Sequence, residues 1–339
     1  MKGNFTIIYL CLLLFANQHA FGQDTHFSQV FNSPLTLNPA ETGNFDGDWR
    51  VVANYRDQWR SLNVPYRTLS ASYDRQFYIK KHHISGGFCV VNDNSNYSAL
   101  KTNKIYFSGS YHRTINNNQF TGGLQIGYVL NKIDFNNLSR PGDWNNETGT
   151  FIPGFGSVSS LNNDVASYLD INVGLLWKRK IQIFEPQIGI AFHHLNNPKK
   201  TFLDDDDSRI PVAGSFSASV KTILKQNLFV TPGFMVNTLL GSRDFLMGGS
   251  VGMAIPGNQF NIREVQGGLY VRNGLTKTVD AMVLMFGAQV SNFQFQMSYD
   301  INVSPLNQFT NKRGAFEISI IYKSLSTIIK TFTIPCERI

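Results

Sequence analysis

Phe293-Gln294-Phe295-Gln296-Met297-Ser298-Tyr299-Asp300-Ile301-Asn302-Val303-Ser304 divides in two when every second residue is read. Phe293, Phe295, Met297, Tyr299, Ile301 and Val303 share one face; Gln294, Gln296, Ser298, Asp300, Asn302 and Ser304 share the other. Successive side chains of a strand point to opposite faces, so this is an extended segment with one apolar and one wet side. A soluble sheet can be built the same way, with its apolar side on a core. Runs of about ten residues that recur along a chain match the spanning strand of an outer-membrane barrel instead. The apolar side then faces lipid and the polar side the lumen.

The pattern recurs in Ser167–Trp177, where Leu169, Ile171, Val173, Leu175 and Trp177 oppose Tyr168, Asp170, Asn172 and Gly174. Phe316, Ile318, Ile320 and Tyr322 repeat it near the end. About fourteen strands are expected: Trp49–Gln58, Tyr66–Phe77, His83–Asp93, Lys104–Ile115, Phe120–Lys132, Ala166–Lys178, Ile181–His194, Ile210–Leu224, Leu228–Leu240, Phe245–Ile255, Phe260–Arg272, Thr278–Val290, Phe293–Val303 and Ala315–Lys323. The third, tenth and twelfth alternate poorly. Glycine pairs within strands (Gly86-Gly87, Gly122-Gly123, Gly267-Gly268) mark bends, bulges or close backbone approach.

The connections support a barrel independently. Long or polar linkers, the longest from Asp134 to Asp164, alternate with turns such as Asn116-Asn117-Asn118 and Lys225-Gln226-Asn227; Gly241–Asp244 is the exception. Outer-membrane barrels have short periplasmic turns and long external loops, whereas a sandwich gives no reason for such parity. The expected fold is all-β, a transmembrane antiparallel up-and-down barrel with both ends on the periplasmic side. Tyr55, Tyr66, Tyr128, Trp177 and Tyr322 lie near strand ends, where interfacial aromatic girdles form.

The chain opens with Lys2, an apolar run from Phe5 to Ala16, and Ala20-Phe21-Gly22, the order of a secretory signal peptide cut after Gly22. Residues 1–22 are therefore read as the signal, 23–47 as an N-terminal periplasmic or plugging segment, 48–323 as the barrel and 324–339 as a periplasmic tail. Cys11 falls in the signal, so the exported chain keeps Cys89 and Cys336, enough for one disulfide but not a framework. No stretch approaches eighteen consecutive apolar residues, so no membrane helix is expected. Hydrophobic content of 42% with a mean hydropathy of −0.16 is what alternating lipid-facing and lumenal residues produce. The net charge of +7 is scattered, without the basic stripe that nucleic acid requires.

Nothing in the chain reads as a catalytic, metal or cofactor site. His193-His194 and His82-His83 are adjacent pairs, which point to opposite faces of a strand and cannot chelate together. Asp204-Asp205-Asp206-Asp207 lacks the spaced ligands and glycine of a calcium loop. There is no Gly-x-Ser-x-Gly elbow and no phosphate-binding glycine loop. The expectation is a non-enzymatic protein.

The mature N-terminus contains Asp24, Phe27-Ser28-Gln29, Phe31, Pro34-Leu35 and Asn38-Pro39-Ala40 with Gly43, followed by Asn54-Tyr55-Arg56-Asp57-Gln58-Trp59 and Ser70-Ala71-Ser72-Tyr73-Asp74. In this order and spacing it resembles the PorP/SprF family, outer-membrane proteins of the Bacteroidota type IX secretion and gliding machinery. Gly122-Gly123-Leu124-Gln125, Gly189 to Leu195, Gly268-Leu269-Tyr270-Val271-Arg272, Ser298-Tyr299-Asp300 and Glu317-Ile318-Ser319 extend the resemblance over the mature chain. The ending Cys336-Glu337-Arg338-Ile339 departs from the family's Cys-Pro-Arg-Phe-like tail. The resemblance implies a barrel serving type IX export, whose partners are a secreted, adhesin-like cell-surface protein with a C-terminal signal domain and other components of the system. The segment from Asp24 to Ala40 is expected either to plug the lumen or to present a periplasmic surface to a partner, with Phe27, Phe31 and Leu35 as apolar anchors. A diffusion channel for small hydrophobic or polar solutes is the competing reading.

Overall fold

A computed structural model of the chain describes residues 27–60, 65–95, 100–134, 144–152, 164–202, 208–239, 242–257, 260–273, 279–304 and 312–327. The expected signal peptide, Asp24, the four aspartates 204–207 and Cys336 lie outside the described residues. In chain order the strands are β1 (Trp49–Gln58), β2 (Tyr66–Ile79), β3 (His82–Ser95), β4 (Leu100–Ile115), β5 (Asn118–Ile133), β6 (Trp144–Asn145), β7 (Thr150–Phe151) and β8 (Val165–Arg179). They continue as β9 (Phe184–His193), β10 (Ala213–Lys225), β11 (Leu228–Leu239), β12 (Ser242–Ala254), β13 (Ile262–Asn273), β14 (Val279–Val290), β15 (Phe293–Asn302) and β16 (Arg313–Lys323).

Fourteen of these close one antiparallel barrel in which sequence neighbours pair, and β1 meets β16 from Arg50 opposite Lys323 to Gln58 opposite Ala315. All fourteen expected strands form. The largest difference in their bounds is the start of β4, expected at Lys104 and found at Leu100. The hairpin β6–β7 in the longest connection has no counterpart in the sequence reading; it is two residues a side, too short to alternate. One end of the barrel is built from tight turns, among them Lys80-Lys81, Asn116-Asn117, Gln226-Asn227 and Ser291-Asn292. The other end carries the long connections, and β1 begins and β16 ends at the short-turn end.

The faces follow the alternation. In β15 Phe293, Phe295, Met297 and Tyr299 are exposed on the outer wall, while Gln296, Ser298, Asp300 and Asn302 are buried within. Along the short-turn rim, Phe293, Tyr322, Trp49, Tyr73 and Phe88 contact one another in sequence across β15, β16, β1, β2 and β3, with ring centroids 4.8 to 6.1 Å apart. A continuous aromatic band at a strand end is an interfacial girdle. Tyr322 belongs to it, and Tyr55 and Tyr128 are exposed on the outer wall.

The third, tenth and twelfth barrel strands (β3, β12 and β14) alternate poorly for an identifiable reason. Several of their inward positions are apolar. Cys89 and Val91 of β3 join Leu35, Tyr106 and Val129 in one buried cluster. Leu246 of β12 and Val283 and Met285 of β14 join Val30, Leu37, Met235 and Tyr270 in another. Both clusters contain residues that precede the first strand: the lumen holds a core, and the N-terminal segment supplies part of it.

Candidate functional site

Residues 27–47 run inside the barrel, from the long-connection end at Ser28 to the short-turn end at Gly47. Local chemistry shapes the path. Ser33 precedes Pro34 and Asn38 precedes Pro39, and each proline opens a single helical turn, Pro34–Leu37 and Pro39–Glu41, where its missing N–H is not needed. Asn38 caps the second turn: its Oδ1 accepts from the Ala40 N–H at 2.8 Å. Its Nδ2 donates to the carbonyls of Leu175 and Ile190 at 3.2 and 3.3 Å, fixing the turn to the wall.

That wall is glycine. A Cβ at Gly123 would stand 2.3 Å from the Pro39 carbonyl carbon, one at Gly174 1.8 Å from Asn38 Oδ1, and one at Gly189 3.0 Å from Asn38 Nδ2. Gly123 and Gly174 face each other directly across β5 and β8. The backbone of Asn38-Pro39-Ala40 thus lies where side chains would otherwise be. Gly43 is constrained twice, by its φ of +74° and by Ser85 Oγ 1.9 Å from a Cβ position.

At the short-turn end Asp74 gathers the segment. Its carboxylate accepts from Arg50 Nε at 3.0 Å and Nη2 at 2.7 Å, and from the Gly43 N–H at 2.8 Å. Arg50 also donates to the Glu41 carbonyl and stacks its guanidinium over Phe45 at 4.6 Å. Ser110 Oγ donates to the Thr42 carbonyl at 2.6 Å, and Gln76 Nε2 donates to the carbonyls of Phe45 and Gly47. Midway, Gln125 Nε2 donates to the Leu35 carbonyl at 3.0 Å and its Oε1 accepts from Asn172.

The other end is a charged clasp of two arginines and three carboxylates. Glu317 accepts the successive N–H groups of Ser28 and Gln29 at 2.7 and 2.9 Å and pairs with Arg56. Ser28 Oγ donates to Asp300 Oδ2 at 2.7 Å and accepts from Arg56 and Arg272, each at 2.8 Å. Arg272 bridges Asp300 at 2.7 Å and Asp280 at 2.9 Å. Register shifts fall beside both Arg272 and Asp300, at Arg272/Asn273 and Tyr299/Ile301. Such bulges re-aim side chains. Buried charges persist only when paired and hydrogen-bonded, and Ser28, 1% exposed, is tied into the pairing on all sides.

The candidate residues from the sequence therefore divide. Arg56, Gln58, Asp74, Arg272 and Asp300 converge on the inner segment, Gln58 by accepting from Arg56. Tyr55, Tyr73 and Tyr299 face outward, and Trp59 packs edge-on against Tyr66 at the end of β1, at 5.1 Å. Phe27, Ser28, Gln29, Pro34, Leu35, Asn38, Pro39 and Ala40 are buried within the barrel, and Phe31 lies against Gly233 and the second apolar cluster. Arg50, Glu41, Asp280 and Ser110 were missed by the sequence reading, and Glu317 entered it only as part of a matched tripeptide. Arg50, Ser110 and Glu317 hold inward positions on their strands, where a polar or charged residue was the available signal; Glu41 lies in the segment, and Asp280 has the opposite parity to the buried Ala281, Val283 and Met285, so alternation gave no signal for it.

Of the histidine pairs, His194 turns inward, with Nδ1 2.8 Å from Asp170 Oδ1, while Asp170 Oδ2 accepts from the Tyr106 hydroxyl. His83 stacks on His112 at 4.1 Å, and His82 contacts Tyr111 on the outer wall. Among the described residues no three His, Cys, Asp or Glu side chains gather as metal ligands.

Comparison with known proteins adds to this geometry. No curated protein matches the chain. Among solved structures, a CymD monoaromatic hydrocarbon channel aligns with a TM-score of 0.52 at 10% identity, over 90% of this chain and 95% of that one. The toluene transporters TbuX of Ralstonia pickettii (TM-score 0.49, 10% identity, 90% and 96% covered) and TodX of Pseudomonas putida (0.48, 9%, 86% and 92%) align less well. At such identity the CymD likeness speaks for the barrel alone. Residues 19–322 match the model of the type IX secretion system membrane protein PorP/SprF, and the chain belongs to that family.

Proposed function

We propose that this PorP/SprF barrel serves type IX export as a closed, non-enzymatic outer-membrane component that brings a secreted, adhesin-like partner to the cell surface or holds it there. The observation that carries the reading is the occupied lumen. The most family-specific stretch of the chain is not free: it is bonded to the inner wall by Arg56, Asp74, Arg272, Asp300 and Glu317. A barrel whose lumen is occupied along its length by its own chain is better suited to docking a partner at its ends than to passing solutes, which counts against the diffusion-channel reading.

In this reading residues 1–22 direct export and are removed near Gly22, residues 23–47 plug the barrel, 48–323 span the membrane, and 324–339 extend into the periplasm. The partners are the secreted protein with its C-terminal signal domain, other components of the secretion system, and outer-membrane lipid. The experiment is surface display. Deleting the gene should remove the partner from intact cells, detected by antibody, and the wild-type chain should restore it. Full display without this chain would overturn the proposal.

A further inference from the structure

The lumen beside the inner segment keeps a cavity of about 380 Å³, bordered by Gln294, in which Lys178 and Lys323 are matched by Glu41 and Asp46. The unmatched charge is on the outer wall. No outward position of β2, β3, β4, β5, β8 or β9 is acidic, because Asp74, Asp93, Asp170 and Glu185 take the opposite parity. Toward the short-turn end, Tyr111 is followed outward along β4 by Arg113, and Trp177 along β8 by Arg179. An aromatic and then a long cation is the order met on leaving hydrocarbon for headgroups. Both arginines are exposed, and among the described residues neither side chain has a hydrogen bond or an ion pair. The exposed Lys80 and Lys81 add to the same rim, while Lys180 is taken by Glu185 at 3.1 Å.

On the hydrocarbon side of this boundary the wall is hollow. A groove of about 740 Å³ lies over Gly109 and Gly122, walled by Tyr111, Leu124, Leu175 and Phe192. Gly109 is opposite Leu124 and Gly122 opposite Tyr111, so the two are diagonal neighbours on adjacent strands. The strand pairing runs unbroken through both, and the serines beneath are engaged, Ser85 with His112 and Ser110 with the Thr42 carbonyl. The groove therefore offers its occupant apolar contact alone. Its floor, two positions on strands about 4.8 Å apart, has the width of one hydrocarbon chain. A helix with its side chains is about 10–12 Å across, too broad to enter.

We propose that this groove holds one acyl chain of an anionic phospholipid whose phosphate is met by Arg113 and Arg179. In the predicted orientation it opens to the periplasmic leaflet, the phospholipid leaflet of an outer membrane. The test is native mass spectrometry of the purified full-length barrel in neutral detergent, titrated with phosphatidylglycerol or phosphatidylethanolamine of identical acyl chains. The first bound phosphatidylglycerol should be favoured roughly tenfold, the order expected when two arginines each favour an anionic headgroup. Arg113→Glu with Arg179→Glu should abolish the preference. Arg67→Glu with Lys101→Glu, the same change of net charge at outward positions near the other end, should keep it. Gly109→Leu with Gly122→Leu should remove the favoured lipid while leaving the arginines in place. An added Cβ meets nothing nearer than 3.8 Å at Gly109 and 3.9 Å at Gly122, so these leucines intrude on the groove and not on the wall. A charge variant that fails to fold therefore does not leave the question open. Equal binding of the two lipids by the wild type would overturn the proposal, as would a preference that survives in either folded variant of the site. Its loss in the Arg67, Lys101 variant would reduce it to net charge and overturn it too. Glycerol phosphate, the headgroup without chains, should not displace the lipid; displacement would show an anion site with no use for the groove.

Discussion

At the scale of single residues, this molecule is governed by where side chains are missing. Gly122 and Gly123 are adjacent, yet an added Cβ at Gly122 meets only Leu175 Cδ2 at 3.9 Å on the outer wall, while one at Gly123 collides with the backbone of Pro39 and Ala40. Backbone cannot swing aside as a side-chain end can. Gly123→Val is therefore expected to unseat the Asn38-Pro39-Ala40 turn, and Gly122→Val to leave it in place. Glu41 reports the difference, since it is 6% exposed when the segment is docked. A glutamate-specific protease should release an N-terminal fragment ending at Glu41 from the Gly123 variant and spare the Gly122 variant and wild type. Equal resistance of all three would mean the glycine floor is not what seats the turn. The sequence narrowed this pair to a bend, a bulge or a close backbone approach, the uses of glycine inside a strand. It left open what approaches and at which of the two residues, since that depends on a segment distant in the chain.

At the scale of elements, strands were legible wherever lipid and water were the only two environments. β15 and β8 alternate cleanly for that reason. β3, β12 and β14 do not, because their inner faces meet Leu35, Val30 and Leu37 rather than water, and a third environment blurs a two-letter pattern. The same fact changes how a face is tested. Asn172→Arg looks harmless from alternation, yet Asn172 is 2% exposed, donates to Gln125 and accepts from the His194 N–H. An arginine there would displace part of the inner packing. Gln294 borders the open cavity and is the better lumenal probe. On the same strand Met297 is 52% exposed on the outer wall. Met297→Arg should destabilise the barrel by about 2–4 kcal/mol, the range for arginine at mid-membrane lipid contact. Gln294→Arg should leave the folded, heat-modifiable species close to wild type. Equal urea midpoints for the two variants in lipid vesicles would reverse or erase the assigned faces.

At the scale of the whole molecule, loop parity predicts an orientation, with the short turns toward the periplasm and the long connections outside. A cysteine at Thr148, exposed in the longest connection, should react with an impermeant thiol reagent on intact cells, and one at Asn117 should not. The reverse pattern would invert the barrel. Closure follows from size and filling together. Eight strands leave an interior that side chains fill, while sixteen to eighteen leave an aqueous channel, so fourteen need added mass to be shut. Here that mass is the N-terminal segment, clasped at Ser28 by two arginines and at Gly43 by Asp74. The clasp ties Ser28 to Arg272, Asp300 and Glu317, 244 to 289 positions away in sequence, so no local pattern announced it. Wild-type barrel in a planar bilayer should therefore pass no steady current. Gly123→Val, which unseats the segment without removing a strand, should open long-lived conductance steps. A steady wild-type pore would show that the segment does not close the lumen and would return weight to the diffusion channel. Silence from both proteins, with Glu41 cleaved in the variant, would show that something other than the Asn38-Pro39-Ala40 turn keeps the barrel shut, leaving the Ser28 clasp as the element to break next.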